Sequence, residues 1–282
     1  MTNGPSNILA TIGRVLAFVL LVYTCSVAAS AFVEPPLRWI ALRVGYPLQL
    51  SGFSTLVGVF VATVMMLRSI DRRPWADIDL SKAAARPRTL LTGWLVGALS
   101  IGGACAVLLA TGLLKFVPSA GNVSWLSAAL RVSLVLIPAS LAEELMLRGY
   151  LLTIVRETVG TRAAVIGTSV MFGLLHLANP GSTATSLLVV MLAGVFLATV
   201  RLALSSLWAA WMAHLAWNFT MAVLLHASVS GIEFQTPVYK AVTAGPAWLS
   251  GGEWGPEGGL VAAFGLIGGL AYFYQRHRRE ES

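Results

Sequence analysis

Eight long apolar runs alternate with short polar connections along the chain, at about 10–33, 47–69, 89–113, 125–150, 162–179, 184–203, 206–228 and 258–275. Each is near the roughly 20 residues that a helix needs to cross a hydrocarbon core. Backbone groups in lipid have no water to bond, so a spanning segment must be a helix or part of a closed barrel. These runs lack the alternation and the short length of barrel strands. The pattern predicts an all-α fold: a polytopic integral membrane helical bundle of about eight transmembrane helices, forming one structural domain. Along it lie three stretches: 1–124 with the first three helices, a core at 125–228, and 229–282 with an external loop, the last helix and a tail.

Composition agrees with this reading. Hydrophobic residues make up 57% of the chain and charged residues 11%, against about 25% charged in soluble domains; mean hydropathy is +0.78. The net charge of +7 would suit nucleic acid, but its placement does not. One set of connections holds Arg68, Arg72, Arg73, Lys82, Arg86, Arg88, Arg156, Arg162, Arg201, Arg276, Arg278 and Arg279; the opposite set holds only Arg38, Arg43, Lys115 and Lys240. Twelve against four is a positive-inside bias, which puts both termini in the cytoplasm. The expected partner is the lipid bilayer, with no nucleic acid. Sixteen Arg against three Lys hints at a GC-rich bacterial genome, hence the bacterial inner membrane.

The N-terminal run ends near Ala29-Ser30-Ala31, which resembles a signal-peptide cleavage site. Residues 1–13 carry no basic charge, and keeping the segment preserves the charge bias, so it is expected to stay as a helix. Cys25 and Cys105 fall inside predicted spans and suggest neither a disulfide framework nor a metal motif. The connection 70–88, with Trp75 among its charges, is expected at the membrane surface. The external stretch 229–257 sets Glu233, Glu253 and Glu257 against Lys240, with Gly251-Gly252 and Gly255-Pro256 as turns. Gly93/Gly97 and Gly265/Gly269 make small faces for close helix packing.

Ionisable residues inside the apolar runs are the informative exception. An ionised residue near the centre of a spanning helix costs about 2.5–3.5 kcal/mol on insertion scales, and such residues tend to mark function. Glu143 and Glu144 stand side by side in the fourth run. Glu144 and Arg148 are at i, i+4, so they share a helix face and form the natural pair. Glu143 is rotated about 100° away and left without a local cation, which suits a general base. Phe172-Gly-Leu-Leu-His176 lies in the fifth run and His214-Leu-Ala-Trp-Asn218 in the seventh. At about 1.5 Å per residue, Glu143, His176 and His214 lie roughly 20, 22 and 13 Å from the inner ends of their helices. All three fall within a core about 30 Å thick, so one cluster is expected.

These motifs resemble those of the CPBP family of intramembrane endopeptidases, which includes the CAAX prenyl endopeptidases of the Ras-converting type. The family pattern is Glu-Glu-x-x-x-Arg, Phe-x-x-x-His and His-x-x-x-Asn. It stands here as Glu143-Glu144-Leu-Met-Leu-Arg148, Phe172 to His176 and His214 to Asn218. The resemblance covers about 125–228 and implies an all-helical fold and cleavage of a peptide bond in or near the membrane. The substrate would be a membrane-associated protein or peptide, with a prenylated CAAX-type substrate as one option.

On this reading Glu143 activates a water that His176 helps to position. His214 and Asn218 donate to the oxyanion, each such donor being worth about 2.7–4 kcal/mol in other hydrolases. Glu144, Arg148 and Phe172 support the site. No cofactor is favoured; the alternative is catalytic Zn2+ held by Glu143, His176 and His214. Intramembrane Glu and His also suit a proton-coupled transporter, although no duplicated motif is visible, and a non-proteolytic interaction or immunity protein is a further alternative. Ser169 in Gly167-Thr-Ser169-Val lacks a second glycine and gives little support to a serine protease.

Overall fold

The computed structural model describes residues 5–43, 50–121 and 123–281. Residues 47–49, at the start of the second expected span, lie outside the described residues. Over its described residues, every apolar run is mainly helical. Helix α1 is Pro5–Arg43, α2 is Ser51–Met65 and α3 is Pro87–Ala110. Helix α4, Trp125–Glu144, continues through a π-helical segment, Leu145–Leu151, into α5, Leu152–Val159. Then follow α6 (Thr161–Leu175), α7 (Ala184–Leu204), α8 (Leu207–Phe219), a short α9 (Ala247–Ser250) and α10 (Leu260–Glu281).

The protein is thus an all-α membrane bundle. Among the described residues, five rods are long and apolar enough to cross a membrane: Asn7–Arg43, Ser51–Asp71, Pro87–Ala110, Trp125–Val159 and Ala184–Leu204. Of the about eight spans expected, these five reach that length and hydropathy among the described residues. Helix α6 is shorter, at 15 residues, because the chain turns at His176, whose N–H bonds the Gly173 carbonyl. Helix α8 gives way to a π segment, Thr220–Leu225, and α10 runs into Arg276, Arg278 and Arg279.

Packing centres on α8, which touches α3, α4 and α7. Its Ala209, Ala210, Ala213 and Ala216 are fully buried, and such small side chains let helix backbones approach closely. The α3 glycines complete this contact. A Cβ on Gly93 would stand 2.3 Å from the Ala209 carbonyl oxygen, and one on Gly97 would stand 2.1 Å from that of Ala213. Residue 213 precedes His214, so Gly97 sets the depth at which that histidine sits. Gly265 and Gly269 let α10 close on Ser100 of α3 and Phe196 of α7.

Helix α1 lies along α2 and leaves Leu9, Leu16, Leu20 and Phe32 exposed, as a lipid-facing helix would. It is tied at one end by Phe18 on Tyr150, with ring centroids 4.6 Å apart, and by Arg14, 3.4 Å from Asp71. A two-stranded antiparallel sheet, β1 (Leu114–Pro118) with β2 (Tyr239–Thr243), joins two connections at one end of the bundle. The apolar pattern does not predict it, since each strand is five residues long and lies within a polar connection.

Gly97→Val is expected to lower stability by about 1–3 kcal/mol, the usual cost of overpacking. Thermal unfolding in detergent measures this, with Gly103→Ala as the control because nothing lies within 4 Å of a Cβ there. Equal melting of both variants would contradict the close α3–α8 contact.

Candidate active site

Glu143 and Glu144 occupy the last turn of α4, where the helix widens into the π segment that carries Arg148. Glu144 is fully buried. Its Oε1 accepts from Arg148 Nη1 at 3.1 Å and from His214 Nδ1 at 2.9 Å. A carboxylate only accepts, so His214 Nδ1 carries a proton. The other ring nitrogen, Nε2, then faces Glu143 Oε2 at 3.8 Å. Glu143 is half-buried, and its Oε2 is shielded from solvent with no hydrogen-bond partner among the described residues.

Phe172 explains why an aromatic residue stands one turn before His176. The Arg148 guanidinium lies over its ring, 4.1 Å from the centroid, and this cation–π contact serves nitrogens Nε and Nη2, which lack hydrogen-bond partners among the described residues. The ring meets His176 at 4.7 Å and His214 at 5.9 Å, edge-on in both cases. Its carbonyl accepts from His176 Nδ1 at 2.8 Å, leaving Nε2 for the cavity that His176 lines. One residue therefore orders both histidines and the arginine.

That cavity has about 30 Å³ of space and is lined by Phe172, His176, His214 and Asn218, with Ser230 and Glu257 across from them. This is enough for one or two waters. Glu257, which the sequence places as a charge in an external loop, is buried at 7% exposure. It accepts from Trp217 Nε1 at 2.6 Å, Ser230 N–H at 2.7 Å and Ser230 Oγ at 2.8 Å. The glycine turns before it point only to a change of direction. No periodicity shows that the chain folds inward there.

Arg201 is a second residue whose place differs from the sequence expectation. It belongs by position to the charges of a solvated connection, yet it is buried at 1% exposure. Its Nη1 donates to the carbonyls of Arg148 and Gly149, Nη2 to Thr153 Oγ1 at 2.8 Å, and Nε to Asp79 at 3.1 Å. A π segment disturbs the regular carbonyl ladder, and Arg201 satisfies the groups it leaves beside Arg148. Just past the second span, Arg73 donates to Glu157 at the end of the fourth, which raises that guanidinium above its ordinary value.

The structure thus brings Glu144, Arg148, Phe172 and His214 into direct contact, with Glu143 beside His214 and with His176 and Asn218 on the shared cavity. It places Glu143 Oε2 at 3.8 Å from His214 Nε2, with His176 and His214 lining the same cavity. Ser169 is buried where α6 crosses Gly194 of α7. A zinc histidine commonly has its second ring nitrogen bonded to a carboxylate or carbonyl, as both histidines do here. Among the described residues, however, no three His, Cys, Asp or Glu side chains stand close enough to hold a metal. The alternative set of Glu143, His176 and His214 is not gathered that closely.

Glu144→Gln should destabilise the protein by about 3–5 kcal/mol, because it strands a buried guanidinium. Glu143→Gln, which breaks no hydrogen bond, should melt near the wild type. Equal loss in both variants by calorimetry would show that Glu144 does not hold the cluster.

Residues 124–220 match the family model for type II CAAX prenyl endopeptidases, Rce1-like. No curated protein and no solved structure matches the chain. The matched segment contains all seven residues of the cluster, from Glu143 to Asn218, together with the π segment that carries Arg148. Through this segment, the chain resembles the Rce1-like family of type II CAAX prenyl endopeptidases, on a membrane-spanning helical scaffold.

Proposed function

We propose that the protein is an intramembrane endopeptidase that hydrolyses a peptide bond of a membrane-associated protein or peptide, with prenylated CAAX-type chains as one substrate class. The observation that carries this reading is the buried, unpartnered Glu143 Oε2 beside His214 Nε2 at 3.8 Å among the described residues. On this reading a water from the cavity that His214 lines reaches both atoms. It gives one proton to Glu143 and directs its other O–H at His214 Nε2, while its oxygen attacks the carbonyl carbon. Asn218 Nδ2 donates to the oxyanion that forms. As the C–N bond breaks, the leaving nitrogen takes the proton from Glu143, so the carboxylate is restored. Glu144 holds the His214 ring in the required tautomer, and His176 lines the other side of the cavity.

A zinc-dependent variant is the second reading, favoured by the engaged Nδ1 atoms of both histidines and opposed by the lack of a three-ligand group among the described residues. No step above runs through a metal.

Glu143→Gln should lower turnover by at least about 10²-fold, the lower range for a lost general base. Comparative proteomics of membrane peptides from cells with the wild type and the variant reads this while the substrate is still unidentified. Identical peptide profiles would remove the general-base assignment. Purified protein should hold well under one zinc per chain and keep its activity in strong chelator. Asn218→Ala should lose about 10²–10³-fold in turnover, as for one oxyanion donor, with the metal content unchanged. Loss of activity in chelator, restored by zinc and not by magnesium, would establish the metal reading instead.

A further inference from the structure

The β1–β2 sheet has one edge that is closed and one that is open. Ser119 N–H donates to the Val238 carbonyl at 2.8 Å and Ala244 N–H to the Leu113 carbonyl at 2.8 Å. With the observed register, residues 240 and 242 exchange their bonds with β1. Antiparallel strands alternate, so Tyr239, Ala241 and Thr243 turn their N–H and C=O groups to the opposite edge. Among the described residues no hydrogen bond reaches those groups. Ala241 is nearly fully buried, and a backbone donor and acceptor in such a place favour a partner. The outer edge of β1, by contrast, is blunted by Pro118, which has no N–H to offer.

The open edge borders a basin of about 630 Å³, walled by the consecutive residues Lys240, Ala241, Val242 and Thr243 and, across from them, by Gly231 and Pro256. The chain neighbours of these last two, Ser230 and Glu257, line the cavity that holds His176, His214 and Asn218. A single thickness of chain therefore separates basin and site.

We propose that the open edge of β2 docks an extended segment of the substrate polypeptide as a third strand, with the basin as its berth beside the active site. The destination rests on the endopeptidase reading; the docking rests on the strand edge. Strand addition recognises the backbone that every polypeptide carries. It also holds that backbone extended, which a buried carboxylate needs in order to reach an amide that a helix would keep bonded.

The test uses the full chain in lipid nanodiscs, with a short peptide ending in a prenylated CAAX box as the probe. Hydrogen exchange at the Ala241 and Thr243 amides should slow by about tenfold or more on adding probe, while Lys240 and Val242, already bonded to β1, stay unchanged. Ala241→Pro removes one outward N–H and leaves the β1 ladder intact. It should raise KM by about tenfold, the worth of one such bond in a dry site, with kcat held, whereas Ala241→Gly should behave as the wild type. Cleavage with no added protection overturns the docking and leaves the peptidase reading intact. Protection without cleavage supports the docking and removes the peptidase reading. The absence of both overturns the docking, and exchange on the unmodified chain decides the matter if Ala241→Pro fails to fold.

Discussion

A fully buried carboxylate, Glu144, sits where three helices meet, and the surrounding structure is organised around stabilising its charge. In a medium with no water to solvate it, an ionised carboxylate persists only with charged or hydrogen-bonding partners. Arg148 from its own helix and His214 from α8 supply them at 3.1 and 2.9 Å. Both contacts fall on Oε1, so the pair and the ring are fixed by the same atom. The geometry that places His214 Nε2 near Glu143 is a consequence of this bond.

Meeting that requirement shapes elements some distance away. The helix has to widen after Glu144, and the π segment at Leu145–Leu151 leaves carbonyls that Arg201 of α7 satisfies. The guanidinium of Arg148 uses the Phe172 ring as its remaining partner among the described residues. Gly97 lets α8 come close enough to α3 for His214 to reach its level. Arg201 and Phe172 meet Arg148 directly, and Gly97 acts through Ala213, the residue before His214.

Much of this is legible in the sequence because charges in apolar runs are costly and helical spacing is regular. Glu144 and Arg148 pair as their i, i+4 interval requires, and Phe172 shares a face with His176 as the same interval implies. Glu257 and Arg201 are not legible. Each lies in or beside a polar connection, where a charge is ordinarily solvated, and only tertiary folding draws it inward. The strand pairing of residues 114–118 with 239–243 is also hidden, since the partners are more than a hundred residues apart and neither strand has a strong pattern of its own. Helical rise predicts both histidines inside their helices; this holds for His214 in α8, whereas His176 caps the C-terminal end of α6, where the chain turns. The rise does not tell which of them stands beside Glu143, because rotation about a helix axis is set by packing contacts such as Gly97 on Ala213.

Glu144 fixes His214 with its Nδ1 protonated and its Nε2 turned to Glu143. Nitrogen NMR of the His214 ring, in protein labelled at histidine and reconstituted in lipid, tests this most directly. A protonated, hydrogen-bonded Nδ1 is expected, and it should lose this signature in Glu144→Ala, which removes the acceptor. An Nδ1 without a proton in the wild type, or one unchanged by Glu144→Ala, would contradict this arrangement.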